Sequence, residues 1–433
     1  MRFALLGSMA MLLGWSIACN SGMYAYKDDG ETDTDTDTDS DTDTDTDSDA
    51  DNEALVRDMI AGDLAPEGVF DEVAWGDGWP VATATDTFLF VLFDDSVAWS
   101  LVGDFNSWSL NAMTKGDGFY WTEVSIPAPE GALYKFVDPA QEYYADPSAR
   151  SYTYDQNGEI SYVRPTAATW HLDRWPGLEE EGLTSRDLRV YVPAGSGPWP
   201  VLYMHDGQNL FDPLSMMGGW KIQTAMEKLE PALIVGIDNS AYRMSEYTHI
   251  KDDIGYGDEG GWGDDYAALV HQHVRPHIEA TYGSTGLDGV MGSSLGGLIS
   301  LYIAHLYPDE YDFAGSLSGT LGWGRFGKSN TGPVMEELYL GGGVRSFVIY
   351  VDSGGDDGDG YCDDVDGDGY VEDDPDDGDN FCVNRSFADA MANTGYTWDS
   401  NLFHWWDAYA EHNEPAWAAR VGLPLSLFLT LDD

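Results

Sequence analysis

Two kinds of hydrophobic pattern divide the chain. Between residues 70 and 165, short apolar runs (88–93, 98–102, 120–126 and 133–137) are set apart by Gly, Pro, Asp and Asn. Short strands with turn residues between them predict an all-β sandwich in this stretch. From Arg186 onward the period changes. Apolar runs of parallel-strand length at 187–192, 200–204, 232–237, 287–291, 313–317 and 346–351 alternate with helical segments, among them 295–306 and 265–278. In the latter, Tyr266, Leu269, Val270, Val274 and Ile278 recur at helical spacing. This alternation predicts a doubly wound α/β sheet with helices on both faces, spanning residues 166–433.

Two stretches carry no such pattern. Residues 28–53 are nearly pure Asp-Thr and Asp-Ser alternation, which offers nothing apolar to bury and repels itself. A disordered tether over residues 19–53 is therefore expected. The second stretch is an Asp-rich insertion at 356–382. These two runs hold about half of the formal net charge of -57 on 433 residues, so the remainder is an ordinary acidic globular protein with 43% hydrophobic residues. An acidic field without a basic patch argues against a nucleic-acid partner.

The chemistry concentrates in Gly292-Ser293-Ser294-Leu295-Gly296-Gly297, which joins a predicted strand to a predicted helix. This is the G-x-S-x-G nucleophile elbow: small flanking residues let strand and helix approach, and the serine hydroxyl stands above the sheet at a helix N-terminus. A serine nucleophile needs a base, and the base an orienting acid. In this fold both follow the serine. Two histidines near the C-terminus, His404 and His412, are the candidates here. His404 sits in the strand-like run 402–406, whereas His412 sits in a loop-like segment before a C-terminal helix, which selects His412. The acid belongs at the end of the strand closing at Val351, where Asp352, Asp356 and Asp357 are candidates.

These residues, together with His205-Asp206-Gly207-Gln208, Gly219-Trp220, Asp238-Asn239, Arg243, Glu246-Tyr247, Glu411-His412-Asn413 and Trp417, resemble the enterochelin-esterase and feruloyl-esterase (esterase D) group of α/β-hydrolases over about 250 residues. The resemblance implies an α/β-hydrolase sheet with Ser294 as nucleophile, His412 as base and Asp357, three residues after Gly354, as acid; Asp356 is the alternative. It also implies an oxyanion hole from the backbone amides of Gln208 and Leu295. No organic cofactor is implied. His205 reads as a loop support, and His271, His273 and His277 as helix residues without a metal role.

Three further resemblances complete the picture. Residues 102–108, 134–136 and 144–147 are similar to the immunoglobulin-like modules that bind starch and glycogen, with Trp108 and Trp121 as sugar-stacking candidates or as core residues. Arg2, the apolar run from Phe3 to Leu13 and Ser16-Ile17-Ala18-Cys19 resemble a bacterial lipoprotein signal, residues 1–18 being removed and Cys19 lipidated. An exported, membrane-anchored lipoprotein at the outer membrane or cell surface follows, touching the membrane through its lipid alone. Cys362 and Cys382 then remain to form a disulfide, as suits an oxidising compartment. Finally, Asp364, Asp366, Asp368, Tyr370 and Glu372, with a turn glycine at 369, follow calcium-loop spacing and look like the repeats of dockerins and thrombospondins. A structural calcium ion is expected there.

The resulting expectation is a serine carboxylic-ester hydrolase acting through an acyl-enzyme on a small-molecule or carbohydrate-linked ester. Acyl transfer by the same groups is one alternative. A surface carbohydrate-binding lipoprotein with an idle hydrolase domain is the other.

Overall fold

The computed structural model describes residues 47–180, 182–255, 257–326, 332–355, 362, 370–371 and 379–432. The signal segment, Cys19 and most of the tether lie outside them. Eight strands build the central sheet: β1 (His171–Leu178), β2 (Arg186–Val192), β3 (Trp199–His205), β4 (Leu233–Ile237), β5 (Ser284–Ser293), β6 (Phe313–Leu317), β7 (Val348–Ser353) and β8 (Leu402–Trp406). Their order across the sheet is β8-β7-β6-β5-β3-β4-β2-β1. Strands β3 to β8 pair in parallel, while β2 runs antiparallel to both β4 and β1.

Parallel strands are buried on both faces, and their side chains alternate between two cores. Val201 and Tyr203 of β3, Val290 of β5 and Ile349 and Val351 of β7 enter one core. That core is closed by helix α1 (Leu295–Leu306) through Leu298 and Leu301, and by helix α2 (Phe381–Thr394) through Phe387 and Met391. Leu202 and Met204, Met291, and Val348 and Tyr350 enter the other. There they meet Trp417 of helix α3 (Glu414–Arg420) and Phe428 of the C-terminal helix. The uninterrupted apolar runs in the sequence are the consequence.

Register lines up the carboxyl ends of the strands. Ser293 of β5 pairs with Leu317 of β6, Leu317 with Asp352 of β7, and Asp352 with Trp405 of β8. Residues that follow these positions therefore emerge side by side.

Ahead of the central sheet, Val81–Ala84, Thr87–Leu92, Thr114–Lys115 and Tyr120–Ser125 form a four-stranded antiparallel sheet. Phe88 and Phe90 share a core with Leu101, Tyr134 and Phe136 of the facing strands. Those facing strands are continuous with the central sheet, because Ser151 and Tyr152 pair with Asp173 and Leu172 of β1. The two folded regions thus share one sheet. Two helices, Asp47–Ala61 and Pro66–Trp75, cover the outer face of the four-stranded sheet, with Val56, Met59, Val69 and Val73 against Leu89 and Val91. This corrects the tether boundary at residue 53, since residues 47–53 are helical. It also explains why the run 88–93 does not alternate: the strand is covered on both sides. Trp75 anchors this helix pair to the central sheet by donating from Nε1 to Pro176 O at 2.8 Å.

Candidate active site

Ser294 occupies the turn between β5 and α1 with φ 56° and ψ −122°, a left-handed conformation that a residue with a Cβ adopts only under constraint, at a cost of about 1–3 kcal/mol. The constraint is visible on all sides. Ser294 N donates to Leu317 O at 2.9 Å, while its carbonyl accepts from Leu298 N and Thr320 N, each at 3.1 Å. A Cβ on Gly292 would lie 2.7 Å from the carbonyl carbon of Gly296, so strand and helix cross at a distance that only glycine permits. Ser294 is consequently placed at the N-terminus of α1, the positive end of the helix dipole.

The β3 end supplies the opposite wall. Asp206 turns the chain with φ 60°, leading into the short 3-10 turn Gly207–Asn209. A Cβ on Gly207 would stand 2.6 Å from the Gly236 carbonyl carbon, so this turn is pressed against β4. Gln208 is held by its side chain, whose Oε1 accepts from Asn239 N at 3.1 Å. Among the described residues neither the Gln208 amide nor the Leu295 amide has a protein acceptor. Burial tends to raise the Asp206 carboxyl, but the charge and hydrogen bonds of Arg243 (2.6 and 2.8 Å) and the bond from Asn239 Nδ2 (2.6 Å) outweigh it and hold the carboxyl below its ordinary range. His205 is a buried support: its Nδ1 meets Tyr266 Oη at 2.9 Å, and burial pushes its pKa down to about 3.

His412 stands in the loop before α3, its ring edge-on to Trp417 at 5.0 Å. Its Nδ1 meets Oδ1 of Asp379 at 2.7 Å. The carboxylate on His412 is therefore Asp379, in place of the expected Asp357. Asp357 and Asp356 both lie outside the described residues. The physical reason is that the chain leaves β7 into the insertion and returns a carboxylate just before α2, where other groups fix it. Oδ2 of Asp379 accepts from Ser318 Oγ at 2.7 Å, from Gly354 N, and from Arg420 Nη2 at 3.3 Å.

Asp352, the strand-end carboxyl, is held elsewhere: it accepts from Tyr350 Oη at 3.0 Å and Ser318 N at 3.1 Å, and forms an ion pair with Arg420, whose Nε lies 3.1 Å away. Burial raises its pKa to about 6, against the pull of Arg420. His404 is distant in role as well as place. It lies on β8 beside Phe381, and burial lowers its pKa to about 4.

Ser294 Oγ faces Thr320 Oγ1 at 3.4 Å and makes no hydrogen bond to His412 among the described residues. Such open geometry is common in ligand-free sites that tighten around substrate. Thr320, Ser318, Arg420 and Asp379 were not singled out by the sequence. The first two follow β6 without a motif, Arg420 sits on a helix of ordinary composition, and Asp379 is the last of a long run of identical carboxylates.

Of the calcium-loop residues, Asp364, Asp366, Asp368 and Glu372 lie outside the described residues. Tyr370 is described and carries the Arg325 guanidinium 4.7 Å from its ring centre. Cys362 and Cys382 are joined in a disulfide. His277 packs 4.3 Å from the Trp175 ring, and His273 meets Glu180 at 2.9 Å.

Comparison with known proteins bears on this arrangement. Residues 183–422 match the esterase family described as "Putative esterase". The chain is 30% identical over 155 residues to the uncharacterized protein YbbA of Bacillus subtilis (strain 168), covering 33% of this chain and 60% of that one. It is 27% identical over 179 residues to the diacylglycerol acyltransferase/mycolyltransferase Ag85A of Mycobacterium ulcerans, covering 38% and 50%. The chain thus spans less than two thirds of the length of either relative. Among solved structures, enterochelin esterase from Shigella flexneri aligns at TM-score 0.44 and 16% identity over 80% of this chain and 93% of that one. A ferulic acid esterase aligns at TM-score 0.44 and 17% identity over 61% and 99%.

Proposed function

The chain belongs to the esterase family, and on that premise we propose that it hydrolyses carboxylic esters through an acyl-enzyme on Ser294. The observation that carries this reading is the constrained elbow, which holds a serine at a helix N-terminus in a conformation that costs free energy. His412 is poised by Asp379 through Nδ1, which leaves Nε2 to take the Ser294 proton as Oγ attacks the ester carbonyl. The Gln208 and Leu295 amides hold the tetrahedral oxyanion, each worth on the order of 3 kcal/mol of barrier. His412 then returns the proton to the leaving alcohol. A water, deprotonated by His412, attacks the acyl carbon and releases the acid and free Ser294.

Turnover of a simple aryl ester tests this reading. Ser294→Ala should remove activity while leaving the melting temperature near that of the parent. Retained turnover would overturn the assignment. Acyl transfer stays as a second reading because one relative is named as an acyltransferase and Leu214, Met216 and Met217 form an exposed apolar stretch on the segment preceding Trp220. The partition of a common acyl donor between water and an added alcohol separates the two.

We further read the β region ahead of the central sheet as an immunoglobulin-like companion module, and residues 1–46 as export signal, lipid attachment at Cys19 and spacer. The Cys362–Cys382 disulfide suits that compartment. The Asp364 to Glu372 loop is read as a calcium site that steadies the segment ahead of Asp379.

A further inference from the structure

We propose that Ser318 and Arg420 form a clamp that positions Asp379 against His412, taking over a task that a strand end performs when an acid directly follows its strand. The proposal rests on the acyl-enzyme reading above, since it assigns roles around the same His412.

Asp379 is brought to the site from the far side of an insertion, 26 residues after β7 ends at Ser353. No sheet register fixes it. What fixes it is a buried network assembled on α3. Trp417 and Arg420, three residues apart on this helix, both reach Ser318: Trp417 Nε1 donates to Ser318 Oγ at 3.0 Å, and Arg420 Nη2 donates to the same oxygen. Ser318 Oγ in turn donates to Asp379 Oδ2 at 2.7 Å, and Arg420 reaches that oxygen at 3.3 Å. Ser318, Arg420, Asp352 and Asp379 are all nearly or fully buried, at 0%, 3%, 0% and 2% exposure.

Two features make this more than packing. Ser318 adopts φ 48°, a left-handed conformation unusual for serine, which aims its hydroxyl between α3 and Asp379. Arg420 also bridges to Asp352, so a single guanidinium pairs with two buried carboxylates. Since His412 immediately precedes Asn413, the N-cap of α3, one helix registers the base at its start and holds the acid from its last turn. Among the described residues, the charged groups that face Asp379 are His412, Arg420 and Asp352. Tyr350 stands behind Asp352, with Asp407 acting on Tyr350.

The test uses the full chain and steady-state hydrolysis of an aryl ester from pH 4 to 9, with Ser294→Ala alongside. Arg420→Met is expected to lower kcat about a hundredfold with KM within about threefold, and to shift the acid limb of the pH profile, because a positive charge beside the Asp379–His412 pair is removed. Ser318→Ala should lower kcat about tenfold. Arg420→Lys, which keeps the charge and loses the fork, should recover the pH profile and part of kcat. If Ser294→Ala retains turnover, the hydrolase reading falls and the clamp with it. If Ser294→Ala is inactive while folded Arg420→Met and Ser318→Ala keep the parent kcat and pH profile, the clamp is overturned and the hydrolase reading stands. Should Arg420→Met fail to fold, Ser318→Ala decides by the same two readouts.

Discussion

Ser294 and Asp379 are held in place by opposite means. The proposed nucleophile is fixed by its neighbours in sequence: Gly292 and Gly296 approach each other across the elbow, and the backbone conformation of Ser294 follows from that contact. The proposed acid is fixed by residues remote in sequence, with Ser318 61 positions and Arg420 41 positions away. A local device is compact and written as a motif. A tertiary device tolerates an insertion between strand and acid, because no part of its geometry depends on chain length there.

The largest effect expected from breaking the local side is that of Ser294→Ala, a loss of kcat on the order of a thousandfold or more, checked with an aryl ester and accompanied by an unchanged melting curve. Next comes Gly292→Ala. Its Cβ would sit 2.7 Å from the Gly296 carbonyl carbon, so it should cost about 2 kcal/mol or more of stability by denaturant unfolding, together with activity.

Acidity sharpens the comparison further. His205, beneath the Gly207–Asn209 turn, has a folded pKa of about 3 against 6.5 in the unfolded chain. The unfolded state therefore binds the proton first, and the contribution of His205 to stability is complete above about 6.5 and lost as the pH falls from there through 3. Asp352, beneath the acid, runs the other way. Raised to about 6 from 3.8, it contributes fully below 3.8 and loses that contribution as the pH rises through 6. Melting temperatures between pH 3 and 7 should show a shallower acid slope in His205→Gln than in the parent. An unchanged slope would remove His205 from the account. The smallest expected effect is that of calcium: a chelator should lower the melting temperature by a few degrees and added calcium restore it, with no shift in either direction counting against the loop.

Much of the nucleophile side was legible in the sequence for a physical reason. Parallel strands covered on both faces require unbroken apolar runs, and the elbow requires small residues at set positions, so both leave marks on adjacent residues. His412 was legible because its rival His404 falls inside a strand. The helix Asp47–Ala61 was not, because its first turns continue the Asp-Ser alternation and its apolar face is completed only by Leu89 and Val91 of the sheet it covers. Asp379 was hidden for a related reason. Its neighbours are also aspartates, and what distinguishes it is contact with Ser318, Arg420 and Gly354, none of which a local pattern connects to it.

The account is tested most directly by measuring kcat for Asp379→Asn and Asp357→Asn side by side. Asp379→Asn should reduce kcat by about a hundredfold to ten-thousandfold, as expected when a base loses the carboxylate that orients it, while Asp357→Asn stays within about twofold of the parent. Loss in Asp357→Asn with activity retained in Asp379→Asn would contradict it.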